Sequence, residues 1–411
     1  MFLTLEGIGM ISHVDVEIKG ITVIAGENNT GKSTIGKALY SAFNSMHDLD
    51  NHVDYERANS VADEIVRGIN KGNTRRLLYS PEISSLSMVL VKMRREGRSD
   101  DEIAAKLKER LVEHFGVPAN EDVGVTAKGA LEVLSVKPVE ILKMAFSRAL
   151  NSEFNGQINN IYSGGGGEIV LGIRGRDTRV SVRDDLVVGL DNAYSLDAEA
   201  VYIDDPFVVD GAGKGRWPDH RADLYDKLAS GSSRSGLIDD IITSNKMADI
   251  LGILSRACHG ELVTSQFGGL RFRRTGSAKE LSAGNLSSGL KTFAIIQTLL
   301  KKGFLKDGGV LILDEPEIHL HPEWQLLFAE AIVLMQKKFD LHIVLNTHSP
   351  YFLNAIEVYS ARHGAADVCR YYLAERDGES ATIRNVAGSP EDIYEKLARP
   401  FQVLENEAYD V

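Results

Sequence analysis

Cysteine is almost missing from this chain. Cys258 and Cys369 are the two among 411 residues, far apart and without a C-x-x-C pair. Neither a disulfide framework nor a cysteine zinc site follows, and a reducing, cytoplasmic setting is expected. Positive charge is outnumbered: 46 Lys and Arg stand against 58 Asp and Glu, a formal net charge of −12. That balance argues against a surface that coats nucleic acid indiscriminately, though it leaves room for one local basic groove. No apolar run approaches the ~20 residues of a bilayer-spanning helix. Met1 to Glu6 lacks a basic stretch followed by an apolar one, so no secretory leader is expected. No repeat of fixed period is present. The apolar and charged fractions, 43% and 25%, are those of an ordinary globular protein. The length admits about two to three domains.

What is present is concentrated in two places. The first is Gly26-Glu27-Asn28-Asn29-Thr30-Gly31-Lys32-Ser33, which reads G-x-x-x-x-G-K-S. Ile21 to Ala25 before it is a β-branched apolar run, as in a buried strand. From Thr34 onward the apolar residues fall at helical spacing. Strand, glycine loop and helix is the order that lets consecutive N–H groups converge on one anion. Lys32 is expected to reach the β- and γ-phosphates of a bound nucleotide, and the Ser33 hydroxyl to sit on Mg²⁺.

Between the two dense regions the pattern is looser. Phe2–Leu5 and His13–Ile18 alternate apolar and polar, predicting two half-buried strands of an antiparallel subsheet. Residues from about 46 to 159 read as a mostly helical insertion between 1–45 and 160–411. Within it, Ser99-Asp100-Asp101-Glu102 is a capping box. The helix it opens carries Ile103, Leu107 and Leu111 on one stripe and ends at Gly116 and Pro118. Helices are also expected over Asp54–Ile69, Val136–Leu150 and about 237–257. Lys92 to Arg98 is the most basic short run; a solvated loop is preferred over a nucleic-acid contact. Gly164 to Gly167 lacks the lysine and helix of a phosphate loop and reads as a flexible connection. Hairpins are expected over 168–183 and 261–274. Asp204-Asp205-Pro206 is read as a strand-ending turn ahead of a metal site. Arg271, Arg273 and Arg274 are taken as an outward strand face. Two more strands, 368–374 and 381–386, and a short helix after Pro390 are expected to close the fold.

The second dense region begins near residue 281. Asn285-Leu286-Ser287-Ser288-Gly289-Leu290-Lys291 precedes an apolar helix. By itself it is a helix cap, but its N–H groups and hydroxyls suit a γ-phosphate. Val310 to Leu313 is an apolar strand ending in Asp314-Glu315-Pro316. Ligands sit at the carboxyl ends of strands in open α/β sheets. Asp314 can there hold magnesium, and Glu315 can take a proton from an attacking water. A further apolar strand ends in Asn346-Thr347-His348-Ser349-Pro350, where His348 is the candidate γ-phosphate contact. His319 and His321 are read as parts of a turn before Pro322.

The set G-E-N-N-T-G-K-S, N-L-S-S-G-L-K, L-I-L-D-E-P-E-I-H-L-H-P and N-T-H-S-P resembles the ABC-type ATPases of the SMC and OLD group. The resemblance is firm over the first forty-odd residues and roughly 280–356. It implies a P-loop NTPase α/β fold with a mixed sheet, an antiparallel β subdomain and an inserted helical region. It implies ATP and Mg²⁺ held by Gly26, Glu27, Asn28, Asn29, Thr30, Gly31, Lys32, Ser33 and Thr34. It implies Asp314 as magnesium ligand, Glu315 as catalytic base and His348 as switch histidine. Ser287, Ser288 and Gly289 match the signature motif, with Ser where transporter signatures usually carry Gly. Gln157 is the candidate glutamine-loop residue and metal contact. Glu317 to Pro322 occupies the loop that crosses the dimer interface. The family implies two ATP molecules sandwiched in a head-to-tail dimer, each covered by the other subunit's signature. The insertion is too short for the coiled coil of SMC proteins. The stretch after His348 is short beside a typical domain of ~100 residues, too short for the Toprim nuclease of OLD proteins. A standalone ATPase subunit is therefore expected, with a separately encoded effector such as a nuclease, as in the anti-phage systems PARIS and Septu. The alternatives are a DNA-repair ATPase that clamps DNA through Arg94, Arg95 and the 271–274 arginines, and, less favoured, a transporter motor.

Overall fold

The structure is a computed structural model. It describes residues 1–69, 80–115, 117–118, 123–162, 164–211, 219–231, 237–265, 268–386 and 390–409. Gly116, expected to end a helix, lies outside the described residues. The chain divides into two compact units, Met1–His47 with Phe146–Val411, and Asp48–Ala145.

The larger unit is built on an eleven-stranded mixed sheet. The chain enters through β1 (Phe2–Ile8), β2 (Ile11–Glu17) and β3 (Ile21–Gly26), then α1 (Lys32–Ser45). After the smaller unit come β4 (Gly167–Ile173), β5 (Arg176–Arg183), β6 (Leu186–Asp191) and β7 (Ala200–Ile203). A separate three-stranded antiparallel sheet holds β8 (Gly260–Thr264), β9 (Leu270–Arg274) and β10 (Glu280–Ser282). The large sheet is completed by β11 (Val310–Asp314), β12 (His342–Thr347), β13 (Cys369–Asp377) and β14 (Ser380–Asn385). Its order is β6-β5-β4-β1-β2-β14-β13-β3-β12-β11-β7.

Two kinds of strand explain that order. β13, β3, β12, β11 and β7 pair in parallel. β3 is buried at every position, and β11 and β12 nearly so. Continuous Val/Ile/Leu runs are what a sheet covered on both faces needs. β1, β2, β4, β5 and β6 pair antiparallel, and β1 and β2 alternate buried with exposed positions, as a wing with one wet face does. Among the described residues no helix is long and apolar enough to cross a membrane.

The smaller unit is helical. α2 (Leu49–Ile69), α3 (Pro81–Arg95), α4 (Asp100–Phe115) and α5 (Gly124–Ser135) surround a core of its own. Val61, Ile65, Leu90, Ile103, Leu107 and Leu111 are almost wholly buried in it. The Ser99–Glu102 box forms in both directions: Ser99 N–H donates to Glu102 Oε2 at 2.8 Å, and Glu102 N–H to Ser99 Oγ at 3.3 Å. The next helix, α6 (Pro138–Glu153), leads from this unit back into the larger one.

Some boundaries differ from the sequence-based expectation. α2 starts at Leu49, five residues before the expected Asp54. The hairpin at 168–183 gains a third strand, β6, behind a turn in which Asp184 and Asp185 both have positive φ. The closing helix runs over Glu391–Tyr409 and is not short.

Candidate nucleotide site

β3 delivers the phosphate loop to the carboxyl end of the parallel strands, with β12 beside it and β11 beyond. Two glycines fix the loop's path. Gly26 has φ 159°, and a Cβ there would come within 2.3 Å of the Ala374 carbonyl on β13. Gly31 has φ 76° and begins α1 in the left-handed region; a Cβ there would meet Ile11 Cδ1 at 2.5 Å. Both positions exclude a side chain, and both leave backbone N–H groups at the head of a helix. Thr30 Oγ1 donates to Glu27 O at 2.7 Å and tightens the turn. Glu27, Asn28, Asn29 and Ser33 are exposed, and Thr34 is half-buried.

Lys32 is buried, and its ammonium donates to Gly26 O at 3.0 Å and Glu27 O at 2.8 Å. It also lies 3.7 Å from Glu315 Oε1. Burial pulls its pKa below the ordinary lysine value, while the Glu315 and Asp314 carboxylates push the other way.

Asp314 ends β11, and both of its oxygens are engaged. Asn346 Nδ2 donates to Oδ1 at 3.0 Å, and Tyr202 Oη donates to Oδ2 at 3.0 Å. Glu315 follows in the left-handed region, φ 48°, although the next residue is proline. That conformation is costly for a residue with a Cβ and commonly marks a functional turn. The Glu315 N–H donates to Asn346 O at 2.9 Å and helps to hold it. Its Oε1 lies 3.2 Å from His348 Nδ1 on the neighbouring strand end, an ion-pair distance without hydrogen-bond alignment. Lys32, Glu315 and His348 are thus brought together. A cavity of about 40 Å³ beside Glu315, lined by Asp205, Thr292, Ile318 and His319 among others, has room for water.

Glu317 is buried, and burial raises its pKa, against the bond it accepts from Thr347 Oγ1. Its Oε2, with Asn346 Oδ1 and His348 Nδ1, is buried with no hydrogen-bond partner. Orphaned polar atoms around Asp314 and Glu315 are what a site for a charged, hydrated ligand leaves in the bare protein. The exposed Ser33 hydroxyl and the Asp314 carboxylate are hard oxygen donors. A Mg²⁺ that also takes substrate phosphates needs only one or two protein carboxylates. The residues fit that ion.

The serine turn is held from another strand end. Ser287 is exposed and stands at the N-cap position of α7 (Ser288–Lys302), with no side-chain capping bond. Lys291 is buried and donates to both carboxylate oxygens of Asp210, at 2.7 and 2.8 Å. Asp210 closes the short 3₁₀ turn Pro206–Asp210 that follows β7. β7 stands three strand spacings from β3, about 14 Å at ~4.8 Å each. The turn is thus tied through Lys291 to the segment after β7, while Thr292, one turn further along its helix, lines the cavity beside Glu315.

Gln157 is exposed. Its loop is seated by the Gly9 N–H, which donates to Ile158 O at 2.8 Å, and a Cβ on Gly9 would come within 3.1 Å of Thr34. Gln157 therefore neighbours α1. Asp204 is gripped by Arg221 at 2.6 Å and His220 at 3.0 Å, and Asp205 caps the 3₁₀ turn. His321 caps α8 (Pro322–Phe339) and His319 packs edge-on to Phe207. Among the described residues no group of three or more His, Cys, Asp and Glu is arranged to hold a metal. The basic residues are largely spoken for. Arg94 pairs with Asp100, Arg95 with Asp54, Arg98 with Glu102, Arg271 with Glu280 and Arg273 with Glu261.

Three residues now at the site had drawn no attention in the sequence: Tyr202, Asn346 and His220. Asn346 stands two residues before His348, so its motif was the available signal. Tyr202 was visible only as a hydroxyl in a four-residue apolar strand.

A phosphate loop that feeds a helix, an acidic pair ending the parallel strand two places over, and a histidine ending the strand between form a phosphate-loop ATPase site, similar to that of ABC-type ATPases. Residues 183–354 match the family model described as "AAA domain, putative AbiEii toxin, Type IV TA system". Among solved structures, the chain is similar to an SmcHead bound to the C-winged helix domain of ScpA, at 13% identity and TM-score 0.43, covering 94% of this chain and 97% of that one. It is also similar to the SMC head domain from Thermotoga maritima, at 13% identity and TM-score 0.34, covering 94% and 98%. A third is the Smc head domain with an extended coiled coil bound to the C-terminal domain of ScpA derived from Pyrococcus furiosus, at 11% identity and TM-score 0.35, covering 99% and 98%.

Proposed function

We propose that this ATPase is a dimeric switch subunit that controls a separately encoded effector in the cytoplasm, in defence against phage. The observation that supports the switch is the tie of the serine-turn helix, through Lys291, to the segment after β7, three strands from the phosphate loop's β3. A γ-phosphate held by Lys32 can meet Ser287, Ser288 and Gly289 only from a second copy packed head-to-tail. Closure is then coupled to bound ATP and opening to its hydrolysis. The family description's words "putative AbiEii toxin, Type IV TA system" fit a chain that works with a separately encoded second component.

Within the site the N–H groups from Gly26 to Thr34 cradle the phosphates, and Lys32 neutralises the β- and γ-oxygens. Ser33 and Asp314 hold Mg²⁺, with Gln157 as a further contact. When bound, that ion offsets charge on the phosphate oxygens. Glu315 orients water from the adjoining cavity and accepts its proton. His348 steadies the Glu315 carboxylate and reaches the γ-phosphate side.

The DNA-clamp alternative gains no support from the arginines it requires. Arg94, Arg95, Arg271 and Arg273 each face a carboxylate. The experiment that tests the proposal is purification of the chain with its genomic neighbours, in ATP and then in ADP. ATP-dependent dimerisation with nucleotide-dependent retention of one neighbour supports it. A nucleotide-independent monomer that retains nothing refutes it.

A further inference from the structure

Tyr202 occupies an unusual position for a core aromatic. It is 1% exposed, yet its hydroxyl donates to Asp314 Oδ2 at 3.0 Å. Its ring stacks on His220, with centroids 4.2 Å apart and planes 22° from parallel. His220 is in turn fixed from two sides. Its Nδ1 lies 2.6 Å from Glu153 Oε2 and its backbone N–H donates to Glu153 Oε1 at 2.7 Å. Its Nε2 lies 3.0 Å from Asp204 Oδ1. The ring behind Tyr202 is therefore held by Glu153, with the Asp204 carboxylate at an ion-pair distance without hydrogen-bond alignment.

A second feature makes room for the same contact. Gly36 lies on α1, one turn after the phosphate loop, and a Cβ there would sit 3.2 Å from Tyr202 Cζ and Oη and 3.0 Å from Ile312 Cγ2. Any larger residue at 36 would press on the ring that reaches Asp314. The phosphate-loop helix thus carries a glycine where the tyrosine passes beneath it.

We propose that Tyr202 is a positioning residue for the metal-binding carboxylate: it holds Asp314 in the rotamer that receives Mg²⁺, braced by the His220 ring and given space by Gly36. Pure packing does not account for this arrangement. A phenylalanine would fill the same volume, and the hydroxyl is directed at the one carboxylate that ends β11. The two donors on Asp314, Asn346 on Oδ1 and Tyr202 on Oδ2, come from the strands on either side of β11. Together they define the carboxylate plane before any ion arrives. Outer partners of this kind typically change metal affinity 10- to 100-fold when removed.

The inference rests on Asp314 being the metal ligand, and the test separates the two. A fluorescent ATP analogue is titrated into wild type, Tyr202→Phe, Gly36→Ala and Asp314→Asn, in EDTA and in Mg²⁺. The ratio of the two dissociation constants is the metal-dependent gain in affinity. A second readout is Mn²⁺ binding by electron paramagnetic resonance, with a non-hydrolysable ATP analogue present. Tyr202→Phe is expected to lose about tenfold of the gain while its affinity in EDTA stays at the wild-type value. Gly36→Ala is expected to shift the gain in the same direction. An unchanged gain in Tyr202→Phe, with the gain lost in Asp314→Asn, overturns the role of Tyr202 alone. An unchanged gain in Asp314→Asn overturns the metal-ligand assignment and this inference with it.

Discussion

His348 Nδ1 lies 3.2 Å from Glu315 Oε1, and the same oxygen lies 3.7 Å from the Lys32 ammonium. One carboxylate oxygen, carried on a left-handed residue, therefore joins three strand ends: β3 through its loop, β11 and β12. The relationship ties the phosphate cradle to the group proposed to activate water.

Glu315→Gln keeps the shape and removes the base. Turnover is expected to fall by about 10²- to 10⁴-fold, the usual contribution of a positioned general base. Nucleotide affinity is expected to persist, and the ATP-bound dimer to accumulate. Steady-state phosphate release and size-exclusion chromatography in ATP measure the two effects. Near-normal turnover would remove Glu315 from this role.

Lys32→Ala deletes the cation that the loop has folded around. Loss of nucleotide binding is expected in an equilibrium titration, with the fold intact by circular dichroism. Affinity equal to the wild-type value would contradict the assignment of the loop.

His220 predicts a pH dependence of stability. Burial alone would lower its pKa, but the Asp204 and Glu153 carboxylates outweigh burial and lift it from 6.5 to about 9. A group whose pKa is raised on folding contributes stability that is complete below its unfolded pKa and is lost as pH rises through the folded value. Stability measured by urea unfolding is therefore expected to fall between about pH 6.5 and 9, by on the order of 3 kcal/mol at most. Arg221, Tyr40 and Tyr202 pack around the same group, so His220→Gln is the control. Its slope over that window is expected to flatten. An identical slope in the variant would assign the loss to other groups.

The parallel core was legible because its strands are short β-branched runs that end in chemically distinctive residues. β3 ends in Gly26, β11 in Asp314-Glu315 and β12 just before His348. β6 was hidden because its turn uses Asp184-Asp185 in left-handed conformations, where Asn-Gly would have announced a hairpin. The bracing of Asp314 was hidden for a different reason. Glu153, Tyr202, His220 and Asp314 are far apart in sequence, and tertiary packing alone brings them together. No local period records such a convergence. The Gln157 loop is bonded at Ile158 to Gly9, which lies beside Thr34, a long-range contact that no local pattern records.

The most direct test of the composite pocket is a mixing experiment with two variants, Lys32→Ala and Ser287→Arg. Ser287 is exposed, so the arginine is tolerated by the fold. Each variant alone is expected to be inactive, because every pocket in its homodimer has lost either a phosphate cradle or a serine turn. Mixed one to one, half of the dimers are hybrids, and each hybrid holds one pocket built from two undamaged halves. The account predicts recovery of ATPase activity in the mixture, up to about a quarter of the wild-type value where the chains pair at random with two-fold symmetry. No recovery in a mixture shown to contain hybrids would contradict it.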